Sequence, residues 1–150
     1  MINVNFKVAG APRGKQRPKF SGRGGFVRTY TPKETVDYER AIATAYKAAG
    51  GGLIDNAVCM TVVAYMPIPK STTKKEKELI ANGRVQPRKK PDIDNIIKIV
   101  MDGLNGVAYE DDKQVICVTG VKRYALHCEP HIAVRLTDNL IDAYDLSTYF

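Results

Sequence analysis

A chain of 150 residues, 44 % of them hydrophobic, is long enough for one domain with its own core. No stretch approaches the roughly 18 consecutive apolar residues of a membrane span, and the N-terminus MINVNFKVAG lacks a signal peptide's apolar centre, so a cytoplasmic protein is expected. The net charge of +7 favours an anionic partner.

In chain order, Ile2 to Val8 alternates as a first strand. Residues 10 to 25 read as a basic loop, and Phe26 to Tyr30 as a second strand or hairpin arm. Residues 1 to 33 hold eight Lys/Arg and no acid. Thr31-Pro32-Lys33-Glu34 has the form of a capping box with proline at the first helical position, opening a helix to Ala49. Val36, Ala41, Ala45 and Ala48 are among its apolar positions, and Gly50-Gly51-Gly52 stops it. Because this apolar face is narrow, the helix should lie on a sheet surface. Ala57 to Met66 is apolar enough for a central strand, ended by Pro67 and Pro69. Thr73 to Asn82 follows as a short lysine-rich helix closed by Gly83. Lys70 to Lys90 adds eight more Lys/Arg against Glu76 and Glu78.

The segment Lys90 to Asp112, KPDIDNIIKIVMDGLNGVAYEDD, concentrates five aspartates around one apolar helix in an otherwise basic chain. Pro91 disfavours helix at the residue before it, and Asp92 or Asp94 suits the N-cap. At about 100° per residue, Asp94, Lys98, Asp102 and Asn105 share one stripe, and isoleucine, valine, methionine and leucine take the rest. Such a helix is expected in a core or an oligomer interface, with its polar stripe opening onto a cleft or neutralised locally. Gly103 and Gly106 end it. Like charges at 4 Å repel by about 1 kcal/mol in water and more in a drier site, so the cluster needs a cation. Asp92 and Asp94, two residues apart, with Asp112 returning on the next element, offer hard oxygens to Mg²⁺ or Mn²⁺. Lys98 could offset phosphate charge. The same spacings also suit ordinary i,i+4 ion pairs, a cap and an acidic turn, so a structural cluster remains open.

The block KPDIDNIIK, then Asp102, then the Asp111-Asp112 pair before a strand, together with the basic opening GAPRGKQRPK, resembles the RusA family of Holliday junction resolvases. The resemblance implies that Asp92, Asp94 and Asp112 are the Mg²⁺-binding catalytic triad, Lys98 the catalytic lysine and Asp111 a supporting residue. It also implies a homodimer acting on four-way DNA junctions. Asp138 to Phe150 matches no pattern of the family.

Lys15, Arg17, Lys19, Arg88, Lys89 and Lys90 are the candidate phosphate contacts, for salt-sensitive binding independent of sequence. Cys59 and Cys117 lie in strand-like runs and are expected as buried reduced thiols. His127, Cys128 and His131 lack the second ligand pair of a zinc site and read as strand-end residues. Val115 to Ala125 and His131 to Thr137 are two strands expected to pair as a hairpin. The tail from Asp138 to Phe150 is acidic and carries six large apolar residues, which suggests docking on the body or on a partner subunit. The element order β-β-α-β-α-α-β-β argues for an α+β fold, one domain over 1–150, with a mixed sheet and helices packed against it. Two functions remain: a Mg²⁺-dependent endonuclease for branched DNA, or a non-catalytic DNA-binding protein with a structural carboxylate cluster.

Overall fold

The computed structural model describes residues 1–139. The elements are β1 (Asn3–Ala9), β2 (Lys19–Ser21), β3 (Arg28–Tyr30), α1 (Lys33–Ala48), β4 (Val58–Met66), α2 (Lys74–Ala81), α3 (Ile93–Leu104), β5 (Val115–Tyr124) and β6 (His131–Thr137). A four-stranded mixed sheet has the order β1-β6-β4-β5, and β2 and β3 form a separate ribbon. This is the α+β class expected. The docking expected of residues 140–150 lies outside the described residues.

β4 is the central strand, antiparallel to β6 and parallel to β5. The hairpin expected between β5 and β6 does not form. They flank β4 on opposite edges, and residues 125–130 carry the chain from one side to the other. That link is longer than the two-residue turns that force neighbouring strands together, and the strongly apolar β4 takes a neighbour on each edge. Because β5 is left as an edge strand, Cys117 is half-buried rather than buried, beside its fully covered register partner Cys59.

Val4, Phe6 and Val8 of β1 point into the core, and α1 and α3 pack against each other, with α1 also on β1 and α3 on β5. The buried face of α1 is Thr35, Tyr38, Ile42 and Tyr46. Val36 is 38 % exposed and Ala41 and Ala48 face outward, since the larger tyrosine and isoleucine side chains fill the space beneath the helix. The capping box expected at Thr31 is absent. Pro32 is the N-cap, and its carbonyl accepts from the amides of Thr35 and Val36. A complete capping box forms instead at α2, between Thr73 and Glu76.

α3 is less enclosed than its composition suggests. Ile96, Ile99, Val100 and Leu104 are buried, but Ile93 is 36 % exposed because only one side faces sheet and α1. Nor does the helix stop at Gly103. A Cβ there would lie 3.0 Å from the Glu39 carbonyl oxygen, so this glycine lets α1 and α3 approach within the helix.

Candidate functional site

The N-terminus of α3 carries two carboxylates that have no partner among the described residues. Asp92 is the N-cap residue, in extended conformation, yet its side chain makes no cap hydrogen bond. Asp94 follows in the first turn, and both residues are exposed. Neither has an ion pair among the described residues. The partial positive charge of a helix N-terminus favours carboxylates in these positions without neutralising them.

One turn further on, the setting changes. Lys98 Nζ lies 3.1 Å from Asp102 Oδ1 and 3.9 Å from Asp112 Oδ2. Lys15 Nζ is 3.0 Å from Asp102 Oδ2 and also hydrogen-bonds the Glu39 carboxylate. Two lysines thus serve Glu39, Asp102 and Asp112. Burial opposes the charge on Lys15, but hydrogen bonds to Glu39 and Asp102 outweigh it and hold its pKa above the ordinary value. Lys15, a candidate phosphate contact from the sequence, is therefore engaged within the fold. Its backbone amide also donates to the Asn95 carbonyl at 2.8 Å, and a Cβ at Gly14 would lie 2.9 Å from that of Pro91. The basic loop is pressed onto the start of α3.

Asp112 opens a short 3-10 turn that is fastened from several sides. Tyr109, buried, donates from its hydroxyl to the Met101 carbonyl at 2.8 Å. Asp111 accepts from the Lys113 amide at 2.9 Å, the bond that chiefly holds its carboxyl below the usual range. Gln114 returns the bond by accepting from the Glu110 and Asp111 amides, and its side-chain nitrogen donates to the Ile54 and Asn56 carbonyls at 2.8 and 3.0 Å. Asp111 thus shapes the turn that presents Asp112. Sequence reasoning missed Gln114, although Asp111-x-x-Gln114 is a capping-box spacing. It also missed Glu39, which no local pattern links to α3.

A cleft of about 440 Å³ lies between the basic loop, the start of α1 and the start of α3, with Arg13, Lys15, Gln16, Thr35, Lys90, Asp92 and Asn95 among its walls. Arg17, Lys19, Arg88, Lys89 and Lys90 are exposed. The Lys89 carbonyl accepts from Lys122 Nζ at 2.7 Å, which ties the second basic run to β5.

Asp92, Asp94 and Asp112 have the right chemistry for a hard divalent cation. Among the described residues, however, no three His, Cys, Asp or Glu side chains are gathered so as to hold a metal ion. Asp112 stands next to Lys98, whereas exposed Asp92 and Asp94 are free to change rotamer. His131, at the start of β6, stacks on Tyr65 with ring centroids 4.4 Å apart.

Residues 9–137 match the family model described as endodeoxyribonuclease RusA. The chain belongs to the RusA family. The match runs from the end of β1 through β6 and includes every candidate site residue named from the sequence. Within the RusA span lie both basic runs and α3, while residues 138–150 fall beyond it. The chain is also similar to the uncharacterized protein YqaN of Bacillus subtilis (strain 168), 35 % identical over 138 residues that cover 90 % of this chain and 96 % of the relative. Among the described residues, this RusA domain has no helix long and apolar enough to cross a membrane.

Proposed function

We propose that this RusA-family chain is a Mg²⁺-dependent endonuclease that resolves four-way DNA junctions by paired phosphodiester hydrolysis in recombination and repair. The observation that supports this most is the division of the carboxylates. Asp102 and Glu39 are neutralised by lysines, as structural carboxylates would be, whereas Asp92 and Asp94 stand exposed at the mouth of α3, unpaired among the described residues.

Asp92, Asp94 and Asp112 would hold the cation, Mg²⁺ or Mn²⁺. Such a cation, when bound, polarises a phosphoryl oxygen and acidifies bound water. Lys98, its side chain 54 % exposed between Asp102 and Asp112, can place its ammonium against a phosphate oxygen of the cut strand. Asp102 limits where that ammonium can go, and Asp111 and Gln114 hold the Asp112 turn. Arg17, Lys19, Arg88, Lys89 and Lys90 would contact backbone phosphates. Two nicks in opposed strands require two sites related by symmetry, so a homodimer with a two-fold axis is the fitting assembly. Free thiols and a DNA substrate suit the cytoplasm.

The second reading, a DNA-binding protein with a structural carboxylate cluster, is favoured by the contacts of Lys98 to both Asp102 and Asp112, and by the ungathered triad. Purified protein on a synthetic four-way junction beside linear duplex, with and without Mg²⁺, separates the two. The nuclease cuts the junction only with Mg²⁺. Asp94→Asn then loses cleavage by orders of magnitude with junction binding unchanged or tighter. A wild type that binds the junction but never cuts it leaves the second reading standing.

A further inference from the structure

Among the described residues, several large apolar side chains lie exposed in the ribbon segment between residues 19 and 30. Phe20 is 73 %, Phe26 77 %, Val27 71 % and Tyr30 50 % exposed. Monomeric proteins seldom leave such groups in water without a use for them. All six ladder residues of β2 and β3 are exposed, and an isolated two-stranded ribbon is only marginally stable in water.

Cations interleave with these rings. Lys19 pairs across the ribbon with Tyr30, Ser21 with Arg28 and Phe20 with Thr29, and no acidic residue occurs before Glu34. Both feet of the ribbon stand at one place. The incoming strand follows Gln16 and the outgoing one precedes Glu34 and Thr35, and these three residues are walls of the cleft that also contains Asp92.

We infer that the β2–β3 ribbon is a branch-reading element whose exposed rings, led by Phe20 and Phe26, stack on base faces left unstacked at a DNA branch point beside the cleft. Aromatic rings stack on any base, while interleaved cations take the flanking phosphates, so recognition follows exposed base faces rather than sequence. A linear duplex keeps its bases stacked on one another and offers these rings nothing; a branch point offers unstacked faces. A protein partner would use the apolar surface without needing the cations, and the position beside Asp92 favours DNA. The inference rests on the branched-DNA reading given above and identifies the part that selects the branch.

The test is binding of the full chain, with Ca²⁺ in place of Mg²⁺ so that DNA is not cut, to a four-way junction carrying 2-aminopurine at the branch and to a linear duplex of equal length. Phe20→Ala/Phe26→Ala should lose on the order of tenfold or more in junction affinity, lose little on the duplex, and abolish the 2-aminopurine signal change. Phe20→Leu/Phe26→Leu, which keeps apolar area but no ring, should behave like the alanine pair. Equal loss on both DNAs, unchanged junction affinity, or rescue by leucine overturns the inference. So does a ribbon whose alanine pair instead abolishes binding to anionic phospholipid vesicles, or self-association in sedimentation, while junction affinity holds. Because the readout needs no cutting, these results are separable from the nuclease reading, which fails if wild type with Mg²⁺ cuts no branched DNA.

Discussion

Two carboxylates ten residues apart on α3, Asp92 and Asp102, should respond oppositely to substitution. Asp92 has no partner among the described residues, so Asp92→Asn is expected to leave the unfolding free energy from urea titration within about 0.5 kcal/mol of wild type while Mg²⁺-dependent cleavage is lost. A large fall in stability would move Asp92 into the structural group. Asp102→Ala removes the carboxylate that Lys15 and Lys98 share, a side chain only 22 % exposed, leaving Lys15 with Glu39 and Lys98 with the more distant Asp112, and should cost about 1–3 kcal/mol in the same assay. Lys15→Ala similarly leaves Glu39 and Asp102 short of a cation. The raised pKa of Lys15 fixes the pH window: its stabilisation is complete below 10.5, the unfolded value, and disappears as pH climbs through the higher folded value. Denaturation midpoints of wild type and Lys15→Ala should therefore converge in strong alkali and stay apart at neutral pH. Asp111 has the opposite sign, since its lowered pKa means that the capped turn loses support as pH falls below 3.8. The acidic motif itself could be read from spacing. Its sorting into neutralised and open members could not, because Lys15 and Glu39 come from distant parts of the chain.

At the scale of elements, the contact between α1 and α3 turns on Gly103. Alanine in place of glycine in a helix interior ordinarily gains up to about 1 kcal/mol. Here the new Cβ would sit 3.0 Å from the Glu39 carbonyl oxygen and 3.2 Å from Ile42 Cβ, and backbone cannot step aside as a flexible side chain can. The clash should win. Gly103→Ala is expected to destabilise by about 1–3 kcal/mol, and an unchanged thermal midpoint would show that the helices can separate freely. Thr73→Ala should cost about 1 kcal/mol through the lost cap of α2, measured by urea unfolding. β1, β4, α2 and the start of α3 were legible because alternation, apolar runs and caps act over a few residues. The β2–β3 ribbon was read only in part, since its three-residue strands are too short for periodicity and bury neither face. At Thr31 the capping signature misled because Pro32 itself took the N-cap.

For the whole molecule, charge dominates the expected behaviour. If Arg17, Lys19, Arg88, Lys89 and Lys90 each displace one counterion, junction affinity should fall by about 10²–10³ between roughly 50 and 200 mM salt. A slope near zero would remove the basic runs from the interface. As a dimer, the protein should sediment at twice the chain mass at the concentrations where it cuts both strands; activity from a monomer would count against paired symmetric nicking.

Composition and local spacing by themselves determined a basic α+β chain whose aspartates cluster on one amphipathic helix, together with the family resemblance that the match over residues 9–137 bears out. Periodicity and charge are properties of neighbours along the chain, so one sequence suffices to see them. Only the tertiary structure decided the order β1-β6-β4-β5, the closeness of Lys15 and Glu39 to Asp102, and the placing of the ribbon's two feet at the cleft beside Asp92. Those depend on which surfaces meet when the core closes, and pairings between residues far apart in the chain leave no mark in local pattern.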